Sequence, residues 1–269
     1  MNNNLTLSNL YIYPIKSVKG IALDTANVEE RGLQYDRRWM LIDSNNRFIS
    51  QRECAQLATV SVTLRDDGLE VNSGSRTLSV PFESDGQAAE EVTIWSSTVP
   101  ARVVSDEANR WFSDCLGIDC RLVQMPDETR RQVNPQYAVR VDDVVSFADG
   151  YPFLIISEQS LDDLNSRLNE PVLMNRFRPN FVVRGGDPFQ EDNWKLISIG
   201  ENSFHVVKPS ERCVMTTVDQ ERGERAGPEP LKTLATFRQW NNGVYFGQNL
   251  IAARPGGEVR VGDPVKVLK

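Results

Sequence analysis

Residues 58–82, ATVSVTLRDDGLEVNSGSRTLSVPF, alternate apolar runs with turn residues. The runs ATVSVTL, LEV and TLSVPF are rich in β-branched side chains, and RDDG and NSGS between them are typical of hairpin turns. This pattern predicts antiparallel strands joined by short turns. Similar short runs lie on either side of it: LYIYPI, WMLI, RFIS, EVTIW and ARVVS. The first half of the chain is therefore predicted to be an antiparallel β region.

One helix is predicted within this region. Residues 106–117, DEANRWFSDCLG, begin with Asp106 as an N-cap and end at Gly117, which suits a C-terminal stop. Five apolar residues recur at helical spacing and share one face. They are Ala108, Trp111, Phe112, Cys115 and Leu116.

The pattern changes in RLVQMPDETRRQVNP, a polar stretch with two prolines. We predict a boundary there, between a first domain of residues 1–123 and a second of residues 124–269. In the second domain FLIIS reads as a buried strand, and Ser157 begins a helix. FVVRGG, WKLISIG, SFHVV and CVMTTV predict further strands, and PLKTLATFRQW predicts a helix.

The composition excludes several classes of function. The 269 residues carry a net charge of −7, which argues against non-specific nucleic-acid binding. No apolar run reaches the roughly 18 residues that cross a bilayer, and MNNNLTLSNLYIYP lacks the features of a signal peptide, so we expect a cytoplasmic protein without a membrane partner. Four cysteines without C-x-x-C spacing argue against an iron–sulfur cluster. A single histidine, His205, argues against His-rich zinc sites.

Basic residues next to strands are the first candidates for a site. YPIKSVKG places Lys16 and Ser17 after a strand, and YDRRWM places Arg37 at the start of another. NRFRPNFVV places Arg178 before a third strand, and SERC places Arg212 beside a thiol. Loops on a rigid β scaffold often carry sites, so these cations together predict an anion pocket. The alternative is that each cation only pairs with one of the 37 acidic residues.

Cys213 has two interpretations. A free cysteine is most often a small buried hydrophobe. The neighbouring Arg212 would instead favour the thiolate, which binds soft metals. A Cys–His dyad would have to use His205, and the sequence does not favour a cysteine protease.

Several separated motifs, in the same order, resemble the MOSC family. SERCVMTTVDQERG, RFRPNFVV, FADGYPFLIIS, PLKTLATFRQW and FGQNLIA are similar to the MOSC domain, and YPIKSVKG with GLQYDRRWMLID is similar to the N-terminal β-barrel domain that precedes it. The chain resembles bacterial YcbX-type proteins and the mitochondrial amidoxime-reducing component. The implied fold is mainly β (α+β), with an N-terminal antiparallel β domain, a MOSC β-barrel domain and a few peripheral helices.

The resemblance implies a molybdenum cofactor, in which a molybdopterin holds the metal. Cys213 would be the protein ligand of the metal and the catalytic residue, and the cofactor would lie between the two domains. The implied cofactor-binding residues are Lys16, Ser17 and Arg37 from the N-terminal domain and Asp149, Gly150, Tyr151, Arg178, Asn180, Arg212 and Arg238 from the MOSC domain.

The resemblance also implies reduction of small N-hydroxylated compounds, such as hydroxylamines and amidoximes, to amines and amidines. YcbX-type proteins carry a ferredoxin-like domain after the MOSC domain. This chain ends at Lys269 without one, so we expect a separate ferredoxin-, flavodoxin- or flavin-reductase-type electron donor. Glu211 stands where many relatives have serine, which adds a negative charge near the expected metal.

Two alternatives remain open at the level of sequence. The MOSC name also covers part of the molybdenum-cofactor sulfurases, so Cys213 could carry a persulfide and transfer sulfur. The protein could also bind or store the cofactor without catalysis.

Overall fold

Strands make up most of the regular structure. The structure, a computed structural model, describes residues 4–83 and 89–269. In chain order the strands are β1 (Leu5–Ile12), β2 (Ile21–Leu23), β3 (Thr25–Glu29), β4 (Gly32–Leu33), β5 (Trp39–Ile42), β6 (Ser61–Leu64), β7 (Gly68–Ser73), β8 (Arg76–Pro81), β9 (Ala89–Ile94), β10 (Ser97–Val103), β11 (Arg121–Gln124), β12 (Phe153–Ser157), β13 (Phe181–Arg184), β14 (Leu196–Ile199), β15 (Asn202–Arg212), β16 (Val218–Asp219), β17 (Glu224–Arg225), β18 (Gln239–Trp240), β19 (Gly243–Ala252), β20 (Glu258–Arg260) and β21 (Pro264–Val267). The α-helices within the described ranges are α1 (Asp106–Leu116), α2 (Glu158–Asn165) and α3 (Leu231–Phe237).

A closed barrel is the centre of the fold. Its strands follow the order β12-β13-β1-β21-β14-β15-β19, and pairing of β19 with β12 closes the ring. The β12–β13 pair is parallel, and the other pairs are antiparallel. β1 thus comes from the N-terminal part of the chain but lies between two strands of the C-terminal part.

Aromatic side chains from three barrel strands pack together. Phe153, Phe181 and Phe204 are all buried, and their ring centroids lie 5.2 to 5.6 Å apart. Burial of rings this large is a main source of stability in such a core. The fold class predicted from sequence, mainly β with few helices, is therefore confirmed.

Four smaller sheets lie outside the barrel in the described residues, and two of them pack around α1. One has the order β5-β11-β10-β9, and the other is the meander β6-β7-β8. Val71 of the meander, Phe112 of α1 and Leu122 of β11 belong to one buried cluster, so the helix packs between the two sheets. The hairpins predicted in residues 58–82 are confirmed, although residues 55–59 form a 3-10 helix before the first strand.

The helix ends follow from local capping. The hydroxyl of Ser105, one residue before the predicted cap, accepts from the Ala108 amide, and Gly117 ends α1 in the left-handed conformation with φ of 66°. Ser157 begins α2 as predicted, because its hydroxyl accepts from the Ser160 amide.

Two predicted strands are wrong. RFIS (residues 47–50) forms only isolated bridges at Arg47 and Phe48. CVMTTV (residues 213–218) forms a 3-10 helix over Val214–Thr217 instead of a strand. The hydroxyls of both threonines in this segment donate to backbone carbonyls three residues earlier, which offers the backbone an alternative to sheet pairing.

No helix in the described part of the chain is long and apolar enough to span a membrane. The domain boundary after residue 123 stays a prediction.

Candidate functional site

One pocket brings together segments that are far apart in sequence. The volume of its cavity is about 230 Å³. All the residues predicted for the site line it except Arg238. The residues so placed are Lys16, Ser17, Arg37, Asp149, Gly150, Tyr151, Arg178, Asn180, Arg212 and Cys213.

Arg238 is held elsewhere. Its guanidinium lies 2.7 Å from the Asp192 carboxylate and stacks over the rings of Phe189 and Trp240. The charge of Arg238 is therefore matched locally, and the structure does not bring this residue to the pocket.

Tyr13 supports two of the predicted arginines. The guanidinium carbons of Arg37 and Arg178 each lie 4.2 Å from the centroid of its ring. The Tyr13 hydroxyl donates to the Pro179 carbonyl at 3.0 Å. Burial raises the pKa of Tyr13 well above its ordinary value, although the two guanidinium groups oppose this shift. The neutral ring between two cations fixes both side chains by cation–π contacts.

A buried carboxylate orders the same region. Asp36 is 1% exposed; its Oδ2 lies 2.5 Å from Nη1 of Arg37, and its Oδ1 accepts from the Tyr13 amide. The other arm of Arg37 donates to the Arg178 carbonyl at 3.2 Å. Arg37 is thus held by contacts with both halves of the chain.

Three pocket residues adopt a backbone conformation that L-residues rarely use. The φ angles are 67° at Ser17, 50° at Arg37 and 55° at Arg178. Left-handed φ at a non-glycine residue costs free energy and persists where surrounding contacts fix it. Its recurrence around one pocket indicates loops that are shaped to present particular groups.

Asn180 lines the pocket and also joins two strands beside it. It is 1% exposed, its Nδ2 donates to the Tyr11 carbonyl, and its Oδ1 accepts from the Leu154 amide at 3.2 Å. Asn180 therefore ties β1 to β12 beside the pocket.

Lys16 and Asp149 form a charged pair. Lys16 Nζ lies 2.6 Å from Asp149 Oδ1 and donates to the Phe147 carbonyl at 2.8 Å. Burial lowers the pKa of Lys16 to about 8, although the Asp149 charge acts in the opposite direction. Desolvation disfavours the ionised form of Asp149, but Lys16, Arg52 and Trp95 together outweigh it and hold the pKa of that carboxyl well below its usual range. The indole of Trp95 also donates to Asp149, at 3.2 Å.

Arg131, which the sequence analysis missed, holds the backbone next to this pair. It is 5% exposed and donates to the backbone carbonyls of Ser146, Ala148 and Asp149. Burial lowers the pKa of its guanidinium to about 10. Its contacts fix the backbone that carries Asp149.

Several cations at the pocket have no carboxylate partner. Among the described residues, Arg178, Arg212 and Lys208 make no ion pair within 4 Å. Nη2 of Arg178 and Nε of Arg212 are buried without a hydrogen-bond partner. Burial lowers the pKa of both guanidinium groups to about 10. Buried donors without acceptors are costly, so the pocket is suited to an anionic ligand that would supply those acceptors.

Cys213 lies at the end of β15, and the other three cysteines do not line this pocket. Its Sγ accepts from Nη2 of Arg52 at 3.1 Å. Arg212, expected to be the cation beside the thiol, interacts with it electrostatically and donates its hydrogen bonds to the Phe177 carbonyl and the Ser210 hydroxyl. The only sequence signal for Arg52 is its position in a turn two residues after the run RFIS.

Comparison with known families gives two matches. The MOSC N-terminal beta barrel domain matches residues 4–119, and the MOSC domain matches residues 142–266.

Curated relatives are similar over most of the chain. Mitochondrial amidoxime-reducing component 1 of Mus musculus is 34% identical, over 98% of this chain and 82% of its own length. Mitochondrial amidoxime reducing component 2 of Bos taurus is also 34% identical, over 97% and 82%. Molybdenum cofactor sulfurase of Oryza sativa subsp. japonica is 31% identical over 91% of this chain, but over only 32% of its own length.

Proposed function

The chain belongs to the MOSC family, and on that premise we propose that it binds a molybdenum cofactor and uses it to reduce N-hydroxylated compounds. The observation that carries the proposal is the pocket itself. In a protein of net charge −7, it gathers cations from both halves of the chain around the Cys213 thiol.

The residues present fit an anionic cofactor with a phosphate group. Arg178 and Arg212 have buried donors without acceptors, and phosphate oxygens are strong acceptors for guanidinium groups. Lys16 and Arg37 would add charge from the N-terminal half, although each already pairs with an aspartate. Ser17 and Gly150 also line the pocket.

Cys213 would supply the protein ligand. A thiolate is the ligand that a soft metal centre prefers, and the Cys213 sulfur already accepts a hydrogen bond from a cation. When bound, the cofactor would supply two-electron redox chemistry, while the protein supplies orientation and electrostatics. Reduction of a hydroxylamine breaks the N–O bond, consumes two electrons and two protons, and yields an amine and water. The electrons would come from a separate ferredoxin-, flavodoxin- or flavin-reductase-type protein, and we place the reaction in the cytoplasm.

The test is the molybdenum content of protein made in a host that synthesises the cofactor. We expect the wild type to carry the metal and Cys213→Ala to lose most of it. Cys115→Ala is the matched control, because Cys115 is a half-buried free thiol on α1 that does not line the pocket. A wild type without molybdenum, or Cys213→Ala with undiminished content, would contradict the proposal.

A second candidate is sulfur transfer through a persulfide on Cys213. The similarity to a molybdenum cofactor sulfurase over 91% of this chain favours it. Mass spectrometry of freshly purified protein distinguishes the two functions. A persulfide on Cys213 without bound pterin supports transfer, whereas bound molybdenum with turnover of benzamidoxime by a chemically reduced protein supports the reductase.

A further inference from the structure

We propose that Arg52 is a positioning residue for Cys213, which orients the sulfur and withdraws electron density from it, and so raises the reduction potential of a metal bound there. The inference rests on the proposed function. The observation that carries it is the position of the Arg52 guanidinium, which contacts both the Cys213 sulfur and the ring of Trp95.

The side chain of Arg52 is held on two sides. Its Nη2 donates to Cys213 Sγ at 3.1 Å, and its guanidinium carbon lies 4.6 Å from the centroid of the Trp95 ring. Its backbone is also fixed, since its amide donates to the Ser50 hydroxyl and its carbonyl accepts from Arg225. A donor fixed in this way can define the direction of the sulfur to which it is bonded.

The preceding residue ties this segment to both sides of the pocket. Gln51 is fully buried, and its Nε2 donates to the Ser17 carbonyl at 2.7 Å. Gln51 also exchanges hydrogen bonds with Gln220, which follows the Cys213 segment. Arg52 is therefore placed by contacts with the loop that carries Lys16 and with the segment that follows Cys213.

Among the residues that the structure describes, Arg52 makes no close ion pair, although its charge acts on the Asp149 carboxylate. Within the part of the chain that the structure describes, no carboxylate lies within 4 Å of it, and its side-chain partners are a sulfur atom and an indole. Arg212, by contrast, donates to oxygen atoms of Phe177 and Ser210. Arg52 is thus the cation whose hydrogen bond reaches the sulfur.

A cation that donates to a coordinating sulfur changes the metal centre in a known direction. Hydrogen bonds to sulfur ligands are among the features that set the reduction potential of a metal site, because they stabilise the state with more electron density on the ligand. A thiolate bonded to a metal keeps lone pairs on sulfur, so the contact with Arg52 is compatible with ligation. The reduced state should therefore be favoured while Arg52 is present.

The test is a potentiometric titration of loaded protein, followed by the electron paramagnetic resonance signal of the molybdenum. Arg52→Met removes the charge and the donor, and Arg52→Lys keeps the charge. Arg47→Met is the matched control, since Arg47 is an exposed cation in the same surface groove as Arg52 and Trp95 and has no contact with Cys213. We expect the midpoint of Arg52→Met to fall enough to change the ratio of oxidised to reduced metal about tenfold at a fixed potential, or about 59 mV for a one-electron couple. Arg52→Lys should fall between Arg52→Met and the wild type, and Arg47→Met should match the wild type.

The outcomes separate the two proposals. Wild-type protein without molybdenum overturns the proposed function and this inference together. Loaded wild type with an unchanged midpoint in Arg52→Met, or an equal shift in Arg47→Met, overturns the role of Arg52 alone. A further outcome is that Arg52→Met has the same melting temperature as the wild type but binds no molybdenum, while Arg52→Lys binds it. That result supports the positioning of the sulfur by Arg52.

Discussion

Replacing Lys16 by methionine should remove a rise in stability between about pH 8 and pH 9. Lys16 is 5% exposed, and burial lowers the pKa of its ammonium from 10.5 to about 8. In the unfolded chain the amine returns to its ordinary pKa. Between these two values the unfolded state holds a proton that the folded state has released, so the free energy of unfolding increases with pH.

The size of the effect follows from the shift. One pKa unit corresponds to about 1.4 kcal/mol, and linkage over the first unit above the folded pKa yields about 1 kcal/mol between pH 8 and pH 9. This gain belongs to the wild type and is absent from Lys16→Met. Burial raises the pKa of Cys120 to about 11, which lowers stability as the pH rises through the ordinary value of that thiol. The Cys120 effect is common to both proteins and cancels in their difference.

The assay is urea denaturation of cofactor-free protein at half-unit steps of pH, followed by tryptophan fluorescence. Lys19→Met is the control, because the Lys19 side chain is 42% exposed in the same loop. The difference in unfolding free energy between wild type and Lys16→Met should change by about 1 kcal/mol across the interval, and Lys19→Met should follow the wild type. Parallel profiles for wild type and Lys16→Met would refute the reasoning.

Tyr13→Phe should lower the free energy of unfolding by about 1 kcal/mol in urea denaturation, because it removes the donor to the Pro179 carbonyl while the ring remains between the two arginines; an unchanged midpoint would contradict this. Gln220→Leu should cost about 1–3 kcal/mol, since it leaves the Gln51 amide oxygen buried without its donor. Thermal unfolding would show the loss, and a melting temperature equal to that of the wild type would count against a role for this amide pair.

Short apolar runs predicted the strands well where burial is continuous. WMLI and FLIIS coincide with β5 and β12, in which every residue is buried. LYIYPI was placed too late in the chain, since β1 begins at Leu5 and ends at Ile12. CVMTTV shows the limit of propensity, because local hydroxyl-to-carbonyl bonds outweigh the β preference of its side chains.

Sequence analysis identified the site residues that belong to a recognisable motif. It missed the residues whose role depends on contacts between distant parts of the chain. Strand-end cations and the resemblance to the MOSC family identified Lys16, Arg37 and Arg178, which the structure places in one pocket. Arg52 and Cys213 are 161 positions apart in the sequence, and no local sequence pattern predicts a contact over that separation. Arg131 was missed for a related reason. Its partners are backbone carbonyls, and because every residue type has one, the sequence does not show which carbonyls Arg131 contacts.

The position of β1 has a practical consequence for anyone who dissects this protein. A fragment that begins after residue 123 would contain β13 and β21 but not the strand that both of them pair with. Their bared edges would then be open to pairing with other chains. Such a truncation would be expected to precipitate, and adding the missing strand as a separate peptide would be the rational way to recover it.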